Sequence, residues 1–176
     1  GLRHRAERTR EVATAARSAT SGVRAMSGEV TLVRGSQARS VESSALETGD
    51  SLSTGPGATA ELRLTDLVVA RIGSSSELSL VTPRASSHRL RLDRGELHAK
   101  VDNRPSATPK LVVETPNVEV VVTGTIFDVD VTGGDGTKEA TTLVRVTKGR
   151  IVIRRNGAEV AAVIAGQSWN SAAVPL

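Results

Sequence analysis

The first group of residues with the types and spacing to do chemistry is the glycine-rich stretch at residues 55–60. Its sequence, Gly-Pro-Gly-Ala-Thr-Ala, fits the G-x-G-x-x-[GA] spacing with which dinucleotide-binding folds hold a pyrophosphate. That role needs a helix directly after the glycines, because the helix N-terminus binds the phosphates. The next residues, 61–64, alternate in polarity as a strand does. We therefore interpret Gly55 and Gly57 as turn residues.

Histidines form a second group, and the chain has three of them: His4, His88 and His98. They are scattered along the sequence and lack the HxH or HExxH spacing of metal sites. His98 follows the apolar Leu97 in an alternating segment, which predicts that its ring faces solvent. The chain also has no cysteine, so thiolate metal sites and disulfides are excluded.

The carboxylates Asp128 and Asp130 form the third group. They lie two residues apart in a predicted strand, which puts both side chains on one face and would suit a cation or an acid–base pair. Outward-facing strand polarity explains them equally well. Asp135 lies in a glycine-rich loop but lacks the alternating carboxylates of a calcium loop. With no G-x-S-x-G motif beside its serines, the chain is predicted not to be an enzyme and to need no cofactor or metal.

The elements that would hold these residues are short alternating segments, many of them led by glycine. Gly28, Gly95 and Gly149 each precede a run of period two, which is typical of half-buried strands. Strands are predicted over 29–34, a short segment within 46–57, 58–64, 68–72, 77–81, 90–92, 96–101, 111–114, 118–122, 126–131, 142–147, 151–154 and 160–164. The last two are joined by Asn156–Gly157, a type I′ hairpin signal. The sequence predicts an all-β fold, solenoid-like or sandwich-like.

The N-terminal segment differs from the rest in charge and in periodicity. Its first 25 residues hold six arginines against two glutamates, which accounts for the whole net charge of +4. Val12, Ala16, Ala19, Val23 and Met26 follow a 4-3-4-3 spacing, which predicts a helix. We therefore divide the chain into a basic helical extension, residues 1–26, and a β domain, residues 27–176.

Three interpretations of that extension stay open: a solvated helix, a nucleic-acid arm, or a juxtamembrane segment. In the juxtamembrane interpretation, Arg3, Arg5, Arg8 and Arg10 lie near anionic head groups or a partner. Because residues beyond the extension carry no net charge, a nucleic-acid-binding surface across the chain is excluded.

An ordered set of motifs from Gly28 to about Trp169 closely resembles the FecR domain. The motifs are Gly28-x-Val30-x-Leu32-x-Arg34-Gly35, Leu46-x-x-Gly49-Asp50-x-Leu52-x-Thr54-Gly55-x-Gly57, Ala60-x-Leu62-x-Leu64-x-Asp66, Leu90-x-Leu92-x-x-Gly95-x-Leu97, Glu114-Thr-Pro116, Val122-x-Gly124-Thr125-x-Phe127-x-Val129, Lys148-Gly149-x-Ile151 and Ala165-Gly166-Gln167. One departure is Leu67, where the family usually has glycine.

The resemblance implies a non-catalytic, extracytoplasmic β domain of a membrane-anchored envelope protein, periplasmic in location. In signalling relatives this domain receives a signal from a TonB-dependent transporter and relays it to a cytoplasmic sigma-factor regulator through a transmembrane helix. For this chain such a helix would lie in a segment outside the sequence. The expected partner is another envelope protein. Binding of nucleic acid is not expected. The alternative is a structural module, or one that binds cell-wall glycan.

The motif residues have structural explanations of their own. Gly49–Asp50 and Gly124–Thr125 are predicted to occupy tight backbone positions at which the polar neighbour bonds the turn. Phe127 is predicted to fill a core space that no aliphatic side chain fills. We assign a structural role to Gly35, Gly49, Asp50, Gly55, Gly57, Gly95, Gly124, Thr125, Phe127, Gly149, Gly166 and Gln167.

Overall fold

A computed structural model describes residues 21–84, 87–106, 108–134 and 138–172. These residues contain fourteen strands and no helix, so the all-β class is confirmed. The strands are β1 Gly22–Ser27, β2 Val30–Arg34, β3 Gln37–Ser40, β4 Ser43–Ala45, β5 Ser51–Thr54, β6 Thr59–Thr65, β7 Val68–Ile72, β8 Glu77–Arg84, β9 Ser87–Val101, β10 Leu111–Glu114, β11 Glu119–Thr132, β12 Thr141–Arg155, β13 Ala158–Ile164 and β14 Ser168–Asn170.

Alternating polarity produces these strands, as β6 illustrates. Ala60, Leu62 and Leu64 are buried, and the residues between them point to the other face. The turn signals also agree with the sequence. Asn156 and Gly157 both have positive φ, at 52° and 79°, as a type I′ hairpin between β12 and β13 requires.

The strands form one open, mixed sheet with the order β13-β12-β11-β10-β9-β7-β6-β1-β4. Only the β9–β10 pair is parallel among the described pairings. Two branches leave this order: β8-β5-β2-β3 pairs with β9, and β14 pairs with β12. The solenoid-like or sandwich-like description stays a prediction.

Three long strands, β9, β11 and β12, change partners part-way along their length. Residues 87–94 of β9 pair with β8 and β10, whereas residues 95–101 pair with β7 and β11. We call the strands around the first set the β8 half, which also contains β2, β3, β5 and β13. The β7 half contains β1, β4, β6, β7 and β14. The sequence split each long strand into two strands, and the structure corrects this to one continuous strand.

Glycines lie where the long strands change partners. Gly95 in β9 and Gly149 in β12 have φ of 101° and 87°, which favours glycine. A Cβ at Gly149 would overlap the carbonyl oxygen of Gly124 in β11. Such a glycine can bend a strand without ending it, whereas its sequence context predicts a break between two strands.

The helix predicted up to Met26 is wrong for residues 22–26, because these residues form β1. Val23 is buried and lies opposite Leu62 of β6. Gly22 and the β-branched Val23 favour an extended chain over a helix, and burial against β6 outweighs the weak helical spacing. The rest of the predicted helix, with Arg3, Arg5, Arg8 and Arg10, lies outside the described residues.

The core is aliphatic and contains the single phenylalanine. Phe127 is fully buried in one cluster that includes residues of both halves, such as Leu32 of the β8 half and Leu62 of the β7 half. Trp169 of β14 packs against the cluster and is partly buried. One continuous core therefore supports both halves.

Candidate functional site: an exposed charged sheet face and a cleft

The Gly49–Asp50 turn is held by a network around a buried carboxylate. Asp50 is only 2% exposed. It accepts hydrogen bonds from Arg34 Nε and Nη2, at 2.9 and 2.8 Å, and from the main-chain N–H of Glu47 at 2.7 Å. The hydrogen bonds from Arg34 hold the pKa of Asp50 below its usual value, against the opposing effect of burial. Asp50 therefore acts in the fold, with its lone pairs already engaged.

The other motif residues also make internal contacts. Thr125 is buried and donates its hydroxyl hydrogen to the carbonyl oxygen of Arg150 at 2.9 Å, across β11 and β12. Gln167 Oε1 accepts the main-chain N–H of Ile164 at 3.2 Å. A positive φ occurs at seven motif glycines: Gly28, Gly35, Gly49, Gly57, Gly95, Gly149 and Gly166. Gly55 precedes a turn that the Ala58 N–H closes on its carbonyl oxygen at 3.0 Å, and strand β6 follows instead of a phosphate-binding helix.

A row of charged residues crosses the exposed face of the β7 half. Neighbouring strands place these residues directly opposite one another in the order Arg24, Glu61, Arg71, His98, Asp128 and Arg145. We call this set the charged row. Arg24 lies 3.6 Å from Glu61, and His98 Nδ1 lies 2.8 Å from Asp128 Oδ1. The predicted exposure of His98 is correct, since half of its side chain is exposed.

Arg71 and Arg145 of the charged row form no ion pair with the described residues. Both are exposed, and they lie on either side of the His98–Asp128 pair. The charged row therefore presents cations at regular strand spacing to the exterior. Such a surface is suited to contact with a partner that carries carboxylates.

An open cleft of about 840 Å³ lies beside the charged row. Asp130 of β11 and Glu96 of β9 are opposite one another and line it, together with the serines Ser74 and Ser75. Burial raises the pKa of Asp130, and the charge of Glu96 raises it further. Asp128 and Asp130 share one face as predicted, but Asp128 bonds to His98 while only Asp130 enters the cleft.

The described residues of the cleft do not form a metal-ligand cluster. Over the parts of the chain that the structure describes, no three His, Asp or Glu side chains are grouped to hold a metal ion. Half-burial lowers the pKa of His88, but His88 does not line the cleft. His4 and Asp135 lie outside the described residues. None of the described residues belongs to a helix long and apolar enough to cross a membrane.

Two arginines with well-defined contacts were missed by sequence reasoning. Arg34 appeared only as one position of a motif, although it is the partner of Asp50. Arg89 is almost buried and bonds Glu114 and Glu119 at 2.9 and 3.0 Å. The sequence around Arg89 does not predict these ion pairs, because the carboxylate partners lie 25 and 30 residues away. Only the strand register brings these groups together.

The comparison with protein families decides the identity of this fold. The sequence model of the FecR protein family matches residues 50–152, more than half of the chain. The chain belongs to the FecR family. The match begins at Asp50 and runs from β5 into β12, so it contains β9 and β11 whole and residues 141–152 of β12. No curated protein matches the chain.

Solved structures share the fold of this FecR domain. Two crystal structures of a "putative anti-sigma factor" from Parabacteroides distasonis, at 2.50 and 1.65 Å resolution, superpose with a TM-score of 0.56 and 17% sequence identity. The superposition covers 68% of this chain and 53% of the other. The chain thus spans about half the length of that protein. FecR proteins are regulators of signalling, non-enzymatic in general and generally associated with the cell envelope.

Proposed function

We propose that this chain is the non-catalytic interaction domain of a FecR-type signalling regulator. It receives or relays a signal outside the cytoplasm by contact with another envelope protein. The observation that carries the proposal is the FecR match over residues 50–152, because these residues build the sheet from β5 to β12. The anti-sigma description of the structural neighbour is consistent with this role.

The exposed surface supports a role in protein contact. The charged row offers Arg71 and Arg145 to carboxylates of a partner, and the motif residues Asp50 and Thr125 are engaged inside the fold. A signalling domain of a TonB-dependent transporter is the partner class that we propose from the family. Recognition would use a strand face or a strand edge, which needs no deep pocket.

We propose that residues 1–20 lie close to the membrane. Their arginines, Arg3, Arg5, Arg8 and Arg10, would face anionic head groups, where each basic residue contributes about 1 kcal/mol to membrane attraction. The β domain would then begin near Gly22, five residues before the boundary predicted from sequence.

The test is a charge reversal in the full-length protein. We expect the double variant Arg71→Glu, Arg145→Glu to fold normally, to lose its cross-linked envelope partner and to change transcription of a small set of genes. A matched control, Arg39→Glu with Arg91→Glu, reverses two exposed arginines of the β8 half. Unchanged transcription in cells that lack residues 50–152 altogether, with no partner cross-linked to the wild type, would overturn the proposal.

Binding of cell-wall glycan is a second candidate, favoured by the cleft. Its hydroxyl groups and the Asp130–Glu96 pair could bond sugar hydroxyls. Sedimentation of the wild-type chain with purified cell wall, lost on Asp130→Ala and Glu96→Ala together, would support it. Failure to sediment would leave protein contact as the function.

A further inference from the structure

The edge strand β13 differs from every other described edge of the sheet. It ends the strand order, and no described strand pairs with its other side. The other edge strands β3, β4 and β14 have three or four residues and carry polar side chains, whereas β13 has seven residues of which six are apolar. Val160 and Ile164 are 46% and 49% exposed. Sheets usually protect such an edge, because its free main-chain groups can pair with another strand.

The hydrogen bonds of β13 show which main-chain groups point outward. The N–H of Ala165 binds the carbonyl oxygen of Gly149 in β12. Main-chain groups alternate in direction along an antiparallel strand. The N–H and C=O groups of Val163 and Ala161 therefore also point toward β12. Ala162 and Ile164 then direct theirs away, and the N–H of Ile164 indeed binds Gln167 Oε1. Gln167 therefore occupies one end of the edge and leaves Ala162 open.

An apolar row leads to this open position. In the β8 half the exposed Ala162 lies opposite the partly buried Val152, which lies opposite the partly buried Val121, followed by the buried Val112. This aliphatic row contrasts with the charged row of the β7 half. A strand added beside β13 with an aliphatic residue opposite Ala162 would extend the row and bury more apolar surface.

The charge of the neighbouring strand identifies the partner. β12 carries Arg145, Lys148, Arg150, Arg154 and Arg155 and no acidic residue, and β13 adds only Glu159. Arg150 is paired in register with Ile164, so a cation without an opposite carboxylate lies on one side of Ala162. On the other side Arg154 lies between Glu159 of β13 and Glu119 of β11. A second copy of this chain would bring two cationic strand pairs together, which disfavours a symmetric dimer at this edge.

We propose that β13 binds an extended segment of a partner protein by strand addition at Ala162. The segment carries an aliphatic residue opposite Ala162 and an acidic residue on the side of Ile164, where it meets Arg150. The inference rests on the proposed function and names the surface through which it works. Main-chain hydrogen bonds supply affinity, and Arg150 selects the acidic segment.

The test uses fluorescein-labelled peptides of about ten residues, in which threonine alternates with Glu, Val, Glu, Val and Glu. A matched peptide has Lys in place of Glu. We expect the acidic peptide to bind the full chain at least about tenfold more tightly than the basic one, with binding that weakens as salt is added. In hydrogen exchange the amide of Ala162 should gain protection, while that of Val163 is protected already.

The variant Ala162→Pro removes the outward N–H without removing a bond to β12, and proline is tolerated at such edge positions. We expect it to weaken peptide binding about tenfold, the effect of one or two lost hydrogen bonds. Ala162→Val keeps the N–H and should bind as the wild type does. Circular dichroism and the thermal midpoint check that both variants fold. The hydrogen-exchange experiment needs only the wild type, so it tests the proposal even if Ala162→Pro does not fold.

Several outcomes would overturn the proposal. They are equal binding of both peptides, no binding of either, protection at β3 instead of β13, or a dimer in light scattering that Ala162→Pro dissolves. If Ala162→Pro still cross-links the envelope partner as well as the wild type does, the edge is not the surface but the signalling function stands. If the wild type cross-links none and transcription is unchanged, the proposed function itself fails.

Discussion

Two aspartates in different regions of the sheet show what burial and partners do to one residue type. Asp50 is buried in the β8 half, and its carboxylate is bonded by Arg34 and by the Glu47 N–H. Asp130 lines the cleft of the β7 half opposite a second carboxylate, that of Glu96. The pKa of Asp50 is lowered and that of Asp130 is raised. The aspartate of the family motif stabilises the fold, whereas the aspartate outside it is left for other contacts.

The largest difference should appear on removal of each carboxylate. We expect Asp50→Ala to lower the free energy of unfolding by about 2–3 kcal/mol, since it leaves the Glu47 N–H without its partner and removes charged hydrogen bonds. Asp130→Ala should leave stability unchanged or raise it, because the ionised carboxylate there lies against Glu96. Urea unfolding at neutral pH measures both. Equal losses would break the comparison.

The next effect concerns the cations. Arg34→Met should destabilise the protein and raise the pKa of Asp50, because the hydrogen bonds from Arg34 are the main cause of its lowered value. Arg94→Met at the rim of the cleft removes only the exposed pair with Glu77, and exposed pairs contribute about 0–1 kcal/mol. Urea unfolding of both variants, with NMR of the Asp50 carboxyl carbon, provides the test. An unshifted Asp50 in Arg34→Met would refute the stated cause.

Stability should depend on pH in opposite ways at the two sites. The contribution of Asp50 is present above the unfolded pKa, near 3.8, and is lost as the pH falls through its lower folded pKa. For Asp130 the folded pKa lies above 3.8, so its ionised carboxylate destabilises the fold at neutral pH. Protonation relieves this destabilisation as the pH falls through the folded pKa. In Asp50→Asn the acid-side loss should shrink; in Asp130→Asn the relief should disappear. Unfolding measured from pH 7 to 3 separates the two.

The smallest expected effect is a shift in the pKa of Asp130 alone. Glu96→Gln removes the neighbouring charge and should lower the pKa of Asp130, although burial, the larger cause, keeps it above the usual value. Carboxyl-carbon NMR titration follows this directly. Gln37→Ala, an exposed substitution in β3 at the end of the β8-β5-β2-β3 branch, serves as a control and should leave the titration unchanged.

Sequence patterns predicted the features that depend on neighbouring residues. The alternation of β6 and β7, the Asn156–Gly157 hairpin and the turn at Gly55 each follow from a few consecutive side chains, and β7 has the predicted bounds. The exposure of His98 followed from the same alternation. Its partner Asp128, 30 residues away, required the register between β9 and β11.

Other features could not be predicted because long-range pairing decides them. Gly95 and Gly149 look like turn residues in the sequence, and only pairing on both sides of each glycine shows that β9 and β12 continue. β1 forms because Val23 meets Leu62 of β6, 39 positions along the chain. Arg34 gained its role from Asp50, which the sequence placed in another motif. Local patterns therefore identified the fold class, whereas the contacts of the charged row and the cleft came from the register.

The three long strands have a consequence for how the molecule comes apart. Because β9, β11 and β12 each contribute hydrogen bonds to the β8 half and to the β7 half, a break anywhere along them removes partners from both. The halves cannot serve as separable modules that melt one after the other or that recombination could exchange. Loss of order at either end spreads through shared backbone, so the protein should unfold in a single cooperative transition.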